Sequence, residues 1–213
     1  MLLACIIESK STIKTAELIK SIFKSKQQRI NIFDKKIDNL KEYVKKLNKS
    51  NHEIYIIKTG IEQLQTLQSQ NLRFDILVFE DVDDEAKYNS FTFFKSILTL
   101  LKPHAYLIIN SDNFDFFNHF DLKNYYVVTY GFNRHANLST SSIGDMFNNS
   151  NFMCFLKKTI HSYNGVTFEP QEYIINLGYW DNKPYNILAA AVFAIINGID
   201  LNSINSVGEV PYP

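Results

Sequence analysis

Glycine is scarce in this 213-residue chain, with seven residues in all and none before Gly60. A glycine-rich phosphate cradle is therefore excluded upstream of that point. Backbone amides approach phosphate closely only where side chains are absent and positive φ is open. Cysteine is scarcer still, with Cys5 and Cys154 as the two. Each sits in an apolar run and reads as a buried thiol. Their spacing suggests neither a disulfide framework nor a thiolate zinc site. Charge of neither sign dominates, with 22 Lys+Arg against 22 Asp+Glu. That balance excludes a global electrostatic pull toward nucleic acid or an acidic membrane. Long hydrophobic runs are missing as well. The apolar run at residues 2–7 meets Glu8 at once, and it is too short for a signal peptide or a membrane span. The expectation is a cytoplasmic protein with no membrane insertion and no nucleic-acid partner.

What is present is enough apolar material for a sizeable core, 46% of residues, with aromatics at 14%. Leu2 to Ile7 reads as a buried strand, Glu8-Ser9-Lys10-Ser11 as a turn, and Thr12 to Phe23 as a helix. Strand, short polar loop and helix is the arrangement in which nucleotide-binding α/β proteins hold phosphate. Strands follow at Arg29–Phe33, Glu53–Lys58, Phe74–Glu80, Ala105–Asn110 and Tyr125–Tyr130. Between them the helical spacing of apolar residues falls at Lys36–Lys49, Ile61–Gln68, Phe91–Leu101 and Phe114–Phe120, the last with Asp112 as a candidate cap.

Strands that are nearly continuous in Ile, Leu and Val, alternating with helices, predict a parallel sheet covered on both faces. From about Asn137 the rhythm changes. Leu138–Met146, Phe152–Ile160 and Tyr173–Leu177 read as three short strands of a small antiparallel sheet, and Tyr185–Asn197 as a closing helix stopped by Gly198. The predicted fold is α/β, three layers α/β/α with a mostly parallel sheet plus a small antiparallel one. It forms a single domain over residues 1–213, in which 1–135 hold the parallel part, 136–180 the small sheet and 181–213 the closing helix and tail.

The closing segment, Pro184-Tyr185-Asn186-Ile187-Leu188-Ala189-Ala190-Ala191-Val192-Phe193-Ala194 through Gly198-Ile199, resembles the helix that closes the central domain of Mur ligases. Other pieces are similar in the same order. They are Thr15 to Ile19 after the family's phosphate loop, the acidic strand Asp75 to Glu80, Lys102-Pro103 through Asn110-Ser111-Asp112, and Val128-Thr129-Tyr130-Gly131. The nearest relatives by this resemblance are the muramyl-peptide ligases that add the third amino acid to a peptidoglycan precursor. It implies a three-layer α/β/α central domain and a chemistry in which ATP phosphorylates a carboxylate that an amine then attacks. It also implies magnesium held by a hydroxyl and a glutamate, and a carbamylated lysine that supports a second magnesium.

The same resemblance locates departures. Glu8 and Ser11 stand where the family has its two loop glycines, Thr12 where it has a lysine, and Ile13 and Lys14 where it has hydroxyls. Lys10 or Lys14 would remain as a substitute point charge. The family's Asp-His pair falls near Asp84-Glu85, with no histidine. Lys95 lies near the carbamylated-lysine slot, with Leu98 competing for it. On the closing helix Asn186 is retained, while Lys183 and Asn182 replace its partners. Val210-Pro211-Tyr212-Pro213 ends on proline where the family has arginine.

The candidate site residues are accordingly Lys10, Ser11, Thr12 and Asn186 for a nucleotide, Glu80 and Asp84 for a metal, and Lys95 for catalysis. ATP and Mg2+ are expected only if the ancestral site still works. Glu80, Asp81, Asp83, Asp84 and Glu85 otherwise read as a solvated acidic loop, Asn186 as a helix N-cap, and Lys95 as an exposed helix lysine. His52, His104, His119, His135 and His161 read as surface residues, Trp180 as packing, and residues 139–142 as a polar strand or turn.

Three functions follow from these residues. The first is a degenerate Mur-type domain in binding, scaffolding or regulation, with cell-wall synthesis enzymes or copies of itself as partners. The second is an ATP-dependent acid–amino acid ligase completed by other domains or chains. The third is a structural or oligomerising protein.

Overall fold

The computed structural model describes residues 2–8, 14–33, 54–60, 63–80, 90–113, 119–140, 151–176 and 184–204. The expected helix at 36–49 lies outside them, as does most of that at 114–120.

Strand β1 (Leu2–Glu8) leads to helix α1 (Lys14–Ser25), then β2 (Ile30–Phe33) and β3 (Ile54–Gly60). Helix α2 (Leu64–Ser69), β4 (Phe74–Phe79), α3 (Ser90–Leu98), β5 (Leu101–Asn110) and β6 (Tyr126–Tyr130) continue the alternation. The chain then runs through β7 (Leu138–Ser139), β8 (Asn151–Leu156), β9 (Ile160–His161), β10 (Thr167–Phe168) and β11 (Gln171–Asn176) to α4 (Pro184–Ile196). Among the described residues nine strands form one sheet in the order β11-β8-β7-β6-β5-β4-β1-β3-β2, parallel from β2 to β7 and antiparallel from β7 to β11.

The segments read as a small antiparallel sheet supply β7, β8 and β11, which extend the main sheet antiparallel, and the β9–β10 hairpin forms a further two-stranded antiparallel sheet. One detail differs from the sequence reading: β5 starts at Leu101, where the sequence suggests a helix end. Leu98, Leu100 and Leu101 carry apolar side chains across the junction, so periodicity cannot mark it.

The strands are apolar on both sides because both sides are covered. Leu2, Ala4 and Ile6 of β1 join a core with α1 and α4, whereas Leu3, Cys5 and Ile7 join a second core with α2 and α3. On α1, Ala16, Leu18, Ile19, Ile22 and Phe23 form the inward stripe, with Glu17 in the first turn and Lys24 in the last, as the helix dipole favours. α4 is buried from Asn186 to Ile196. Phe193 meets Phe23 of α1 edge-on at 5.9 Å between centroids. Its end is a Schellman cap: Gly198 N–H donates to Ile195 O at 2.9 Å and Ile199 N–H to Ala194 O at 3.0 Å, with Gly198 at φ +81°. The β9–β10 turn seals that end, Tyr163 N–H donating to Ile196 O at 2.6 Å.

At the start of β4 Asp75 sits where β4 and β5 shift register. Its carboxylate accepts from Leu3 N–H at 2.9 Å and from Lys102 Nζ at 2.7 Å. Asp75 is buried, whereas the Lys102 side chain is 44% exposed. The two partners therefore differ in value. Asp75→Ala is expected to cost about 2 kcal/mol, because it strands a buried backbone donor. Lys102→Ala should cost less than about 1 kcal/mol, as solvent-screened pairs do. Urea unfolding of both variants separates the two contributions.

Burial also sets the thiol chemistry. Desolvation pushes the Cys154 thiol up to about 12. Desolvation first, then Asp200 and Cys154, push the neighbouring Tyr173 hydroxyl up to about 12 as well. Both groups keep their protons in the fold at pH values where the unfolded chain releases them. Folding stability therefore falls as pH rises through the window from the ordinary thiol and phenol range toward 12. The melting temperature should drop across that window, and the Cys154→Ala variant should drop less steeply.

Candidate functional site

In an open α/β sheet the ligand crevice lies at the carboxyl ends of the strands, where strand order reverses. Here the chain runs from β1 outward to β2 and β3, then returns to β4, β5 and β6 on the other side of β1. The crevice is thus the junction of β1 and β4. The two strands are tied at that end by Glu80 N–H donating to Ile7 O at 3.1 Å. Glu8 is the last residue of β1. Glu80 directly follows β4 and is 5% exposed, so a carboxylate stands buried at the mouth of the crevice. Thr15 in the first turn of α1 is fully buried, and its hydroxyl has no hydrogen-bond partner among the described residues.

A second group of residues closes the adjoining ends of β5 and β6. Asp112 accepts from Phe132 N–H at 2.9 Å, from Asn133 N–H at 2.9 Å and from the Tyr185 hydroxyl at 2.9 Å. Its own N–H donates to Asn110 Oδ1 at 2.9 Å. The Ser111 hydroxyl donates to Tyr130 O at 3.0 Å, and the Tyr185 ring packs edge-on against Phe132 at 4.9 Å. The start of α4 is thereby laced to the β6 turn. Charge-assisted bonds from backbone amides to a carboxylate are among the stronger hydrogen bonds in a protein. Asp112 serves in this joint; most of the segment 114–120 that the sequence has it cap lies outside the described residues.

The candidate residues fall as follows. Asn186 lies in the first turn of α4 and is 4% exposed. It is the third residue of a helix that begins at Pro184, so it is not the N-cap that the sequence offered as its plain reading. Proline at the first helical position fits its missing N–H and fixed φ. Lys95 projects to solvent from α3, while its neighbours Phe94 and Ile97 turn into the core. Glu80 stands at the crevice. Lys10, Ser11, Thr12 and Asp84 lie outside the described residues, as do Trp180, Lys183 and Pro213. His104, His119, His135 and His161 are exposed, as expected. Sequence reasoning missed the unpartnered Thr15 and the role of Tyr185. The signal for the latter is a tyrosine before Asn186 together with an aspartate after β5, and only the fold joins them.

Among the described residues no three His, Cys, Asp or Glu side chains gather at one point. No described helix is long and apolar enough to cross a membrane.

The geometry defines an α/β protein with a crevice at the end of its first strand. Solved structures that share the fold include Mur ligases. The chain is similar over its full length to 47% of a UDP-N-acetylmuramoyl-L-alanyl-D-glutamate–2,6-diaminopimelate ligase, with a TM-score of 0.70 at 15% identity. It is similar over 97% of its length to 46% of MurF from Acinetobacter baumannii, at 0.62 and 12%. Over 96% of its length it matches 47% of a murein peptide ligase from Psychrobacter arcticus 273-4, at 0.57 and 9%. The fold is Mur-ligase-like, and the chain spans less than half the length of these structures. No family model and no curated protein matches the sequence.

Proposed function

We propose that this chain is a Mur-ligase central-domain-like module related to peptidoglycan-precursor synthesis, with a degenerate ATP site and a binding, scaffolding or regulatory role. The observation that carries the proposal is the junction of β1 and α1. These elements flank the crevice, and the five residues between them are Ser9-Lys10-Ser11-Thr12-Ile13, without a glycine. A magnesium ion needs only one or two protein carboxylates, because substrate phosphates supply further oxygens. Glu80 would suffice for that part. The phosphate cradle is what does not fit. With a side chain on every residue, the loop lacks the positions at which amides come closest to phosphate. The Asp112 joint supports the same reading, since both carboxylate oxygens are engaged by the chain itself.

One observation favours the alternative, an ATP-dependent acid–amino acid ligase completed by other domains or chains. The unpartnered Thr15 hydroxyl beside the crevice is a buried polar group that a ligand would satisfy. An ADP-release assay with Mg-ATP, a UDP-muramyl peptide and an amino acid distinguishes the two. The proposal expects no ADP above the protein-free rate. Steady ADP release that Glu80→Ala abolishes would establish the ligase. If purified muramyl-peptide ligases also fail to bind the chain, a structural role outside cell-wall synthesis takes the proposal's place.

A further inference from the structure

Asparagine followed by glycine occurs twice in the chain, at Asn164-Gly165 and Asn197-Gly198. The fold sets the two pairs side by side. A Cβ on Gly198 would lie 2.2 Å from Asn164 Nδ2, so the Asn164 side chain rests against that glycine. Both pairs are open in principle to one reaction, attack of the glycine nitrogen on Cγ of the asparagine before it. Glycine favours it because no Cβ shields the nitrogen and its backbone is free to turn.

The backbone does not separate the two pairs. Gly165 has φ +84° and Gly198 φ +81°. Gly165 N–H donates to Ser162 O at 3.0 Å, and Gly198 N–H to Ile195 O at 2.9 Å. The side chains and their surroundings do separate them. Asn197 Nδ2 donates to Phe193 O at 2.8 Å, one turn back along α4, so its leaving nitrogen is held on the helix. Asn197 and Gly198 are half-buried, and ring closure there would break the Schellman cap of α4.

Asn164 differs on each count. It is exposed, as is Gly165, and a Cβ on Gly165 would meet nothing within 4 Å. Asn164 Oδ1 accepts from the Ser162 hydroxyl at 2.5 Å and from Val166 N–H at 3.4 Å. Two donors meet this position, so the oxygen and not the amide nitrogen faces them. They polarise the Cγ carbonyl and stand where the negative charge of a tetrahedral intermediate would form.

We propose that Asn164-Gly165 is a site of covalent self-modification, converting to aspartate and isoaspartate in the folded protein while Asn197-Gly198 stays intact. Water is the one co-reactant. Once the bond to Ser162 O opens, hydroxide takes the Gly165 N–H proton. The nitrogen bonds to Asn164 Cγ, the Cγ–Nδ2 bond breaks, and Nδ2 leaves as ammonia with a proton from water, which restores the hydroxide. Water then opens the cyclic imide at either carbonyl. One opening gives aspartate, and the other routes the main chain through Cβ and Cγ as isoaspartate. Either product places a new negative charge beside Gly198 at the α4 cap. The inference does not depend on whether nucleotide binds at the crevice.

Ageing the full chain for weeks at mildly alkaline pH, folded and in urea, tests it. Peptide mass spectrometry and an isoaspartyl methyltransferase assay read each asparagine separately. In urea both pairs should convert at comparable rates. In the folded chain Asn164 should convert at least about tenfold faster than Asn197, as expected where local opening free energies differ. A folded chain in which Asn164 stays intact while the urea sample converts overturns the proposal. Conversion of Asn197 in the fold as fast as Asn164, or faster, overturns it too.

Discussion

Phe193→Ala is expected to destabilise the protein by about 3–5 kcal/mol, the range for removing a buried aromatic ring. Three features place it at the high end. Phe193 is fully buried. It lies in a helix buried along its whole length from Asn186 onward. Its ring contacts Phe23, so the cavity would open between two helices and not at a deformable edge. α1 and α4 together cover one face of the sheet, and little nearby can collapse into the space. Urea unfolding should show a lower midpoint at an unchanged slope. A loss below about 1 kcal/mol would mean that the site refills freely, and that α4 does not hold the two layers together.

Gly131→Ala should cost on the order of 3 kcal/mol, from backbone strain and steric clash together. Gly131 has φ +147°, a conformation that side chains rarely adopt. A Cβ there would lie 2.7 Å from Ser111 Oγ, 2.9 Å from Asp112 Oδ2 and 3.0 Å from Asn110 Oδ1. All three atoms belong to the joint that holds the start of α4, so relief by side-chain rotation would break hydrogen bonds. The substitution should also loosen α4 locally. Hydrogen exchange at its first turn should speed up more than the global loss of stability explains. Uniform acceleration would contradict the role assigned to Asp112.

The central strands were legible because their environment leaves one solution. Ile76, Leu77 and Val78 are all fully buried, and a run apolar on both faces declares a covered parallel strand. The ends of the sheet were less legible. β7 has two residues and no period to read. In β11, Tyr173, Ile174 and Ile175 look alike in sequence, yet Ile174 is exposed and its neighbours are buried. Edge position is a property of strand order, which no local pattern carries. Of the residues singled out for the crevice, Glu80 is buried directly after β4, while the glycine-free loop lies outside the described residues. The Asp112–Tyr185 bond spans 73 positions and depends on tertiary packing alone. Asn186 shows the reverse case. Its burial agrees with its place in the apolar helix, but its exclusion as an N-cap came from the position of Pro184.

The proposed loss of phosphate chemistry at the crevice between β1 and β4 is open to direct measurement by calorimetric titration with Mg-ATP. No binding heat is expected at millimolar nucleotide, in the wild type and in Glu80→Ala alike. Micromolar binding that Glu80→Ala abolishes, and that Lys10→Ala or Lys14→Ala weakens, would contradict it.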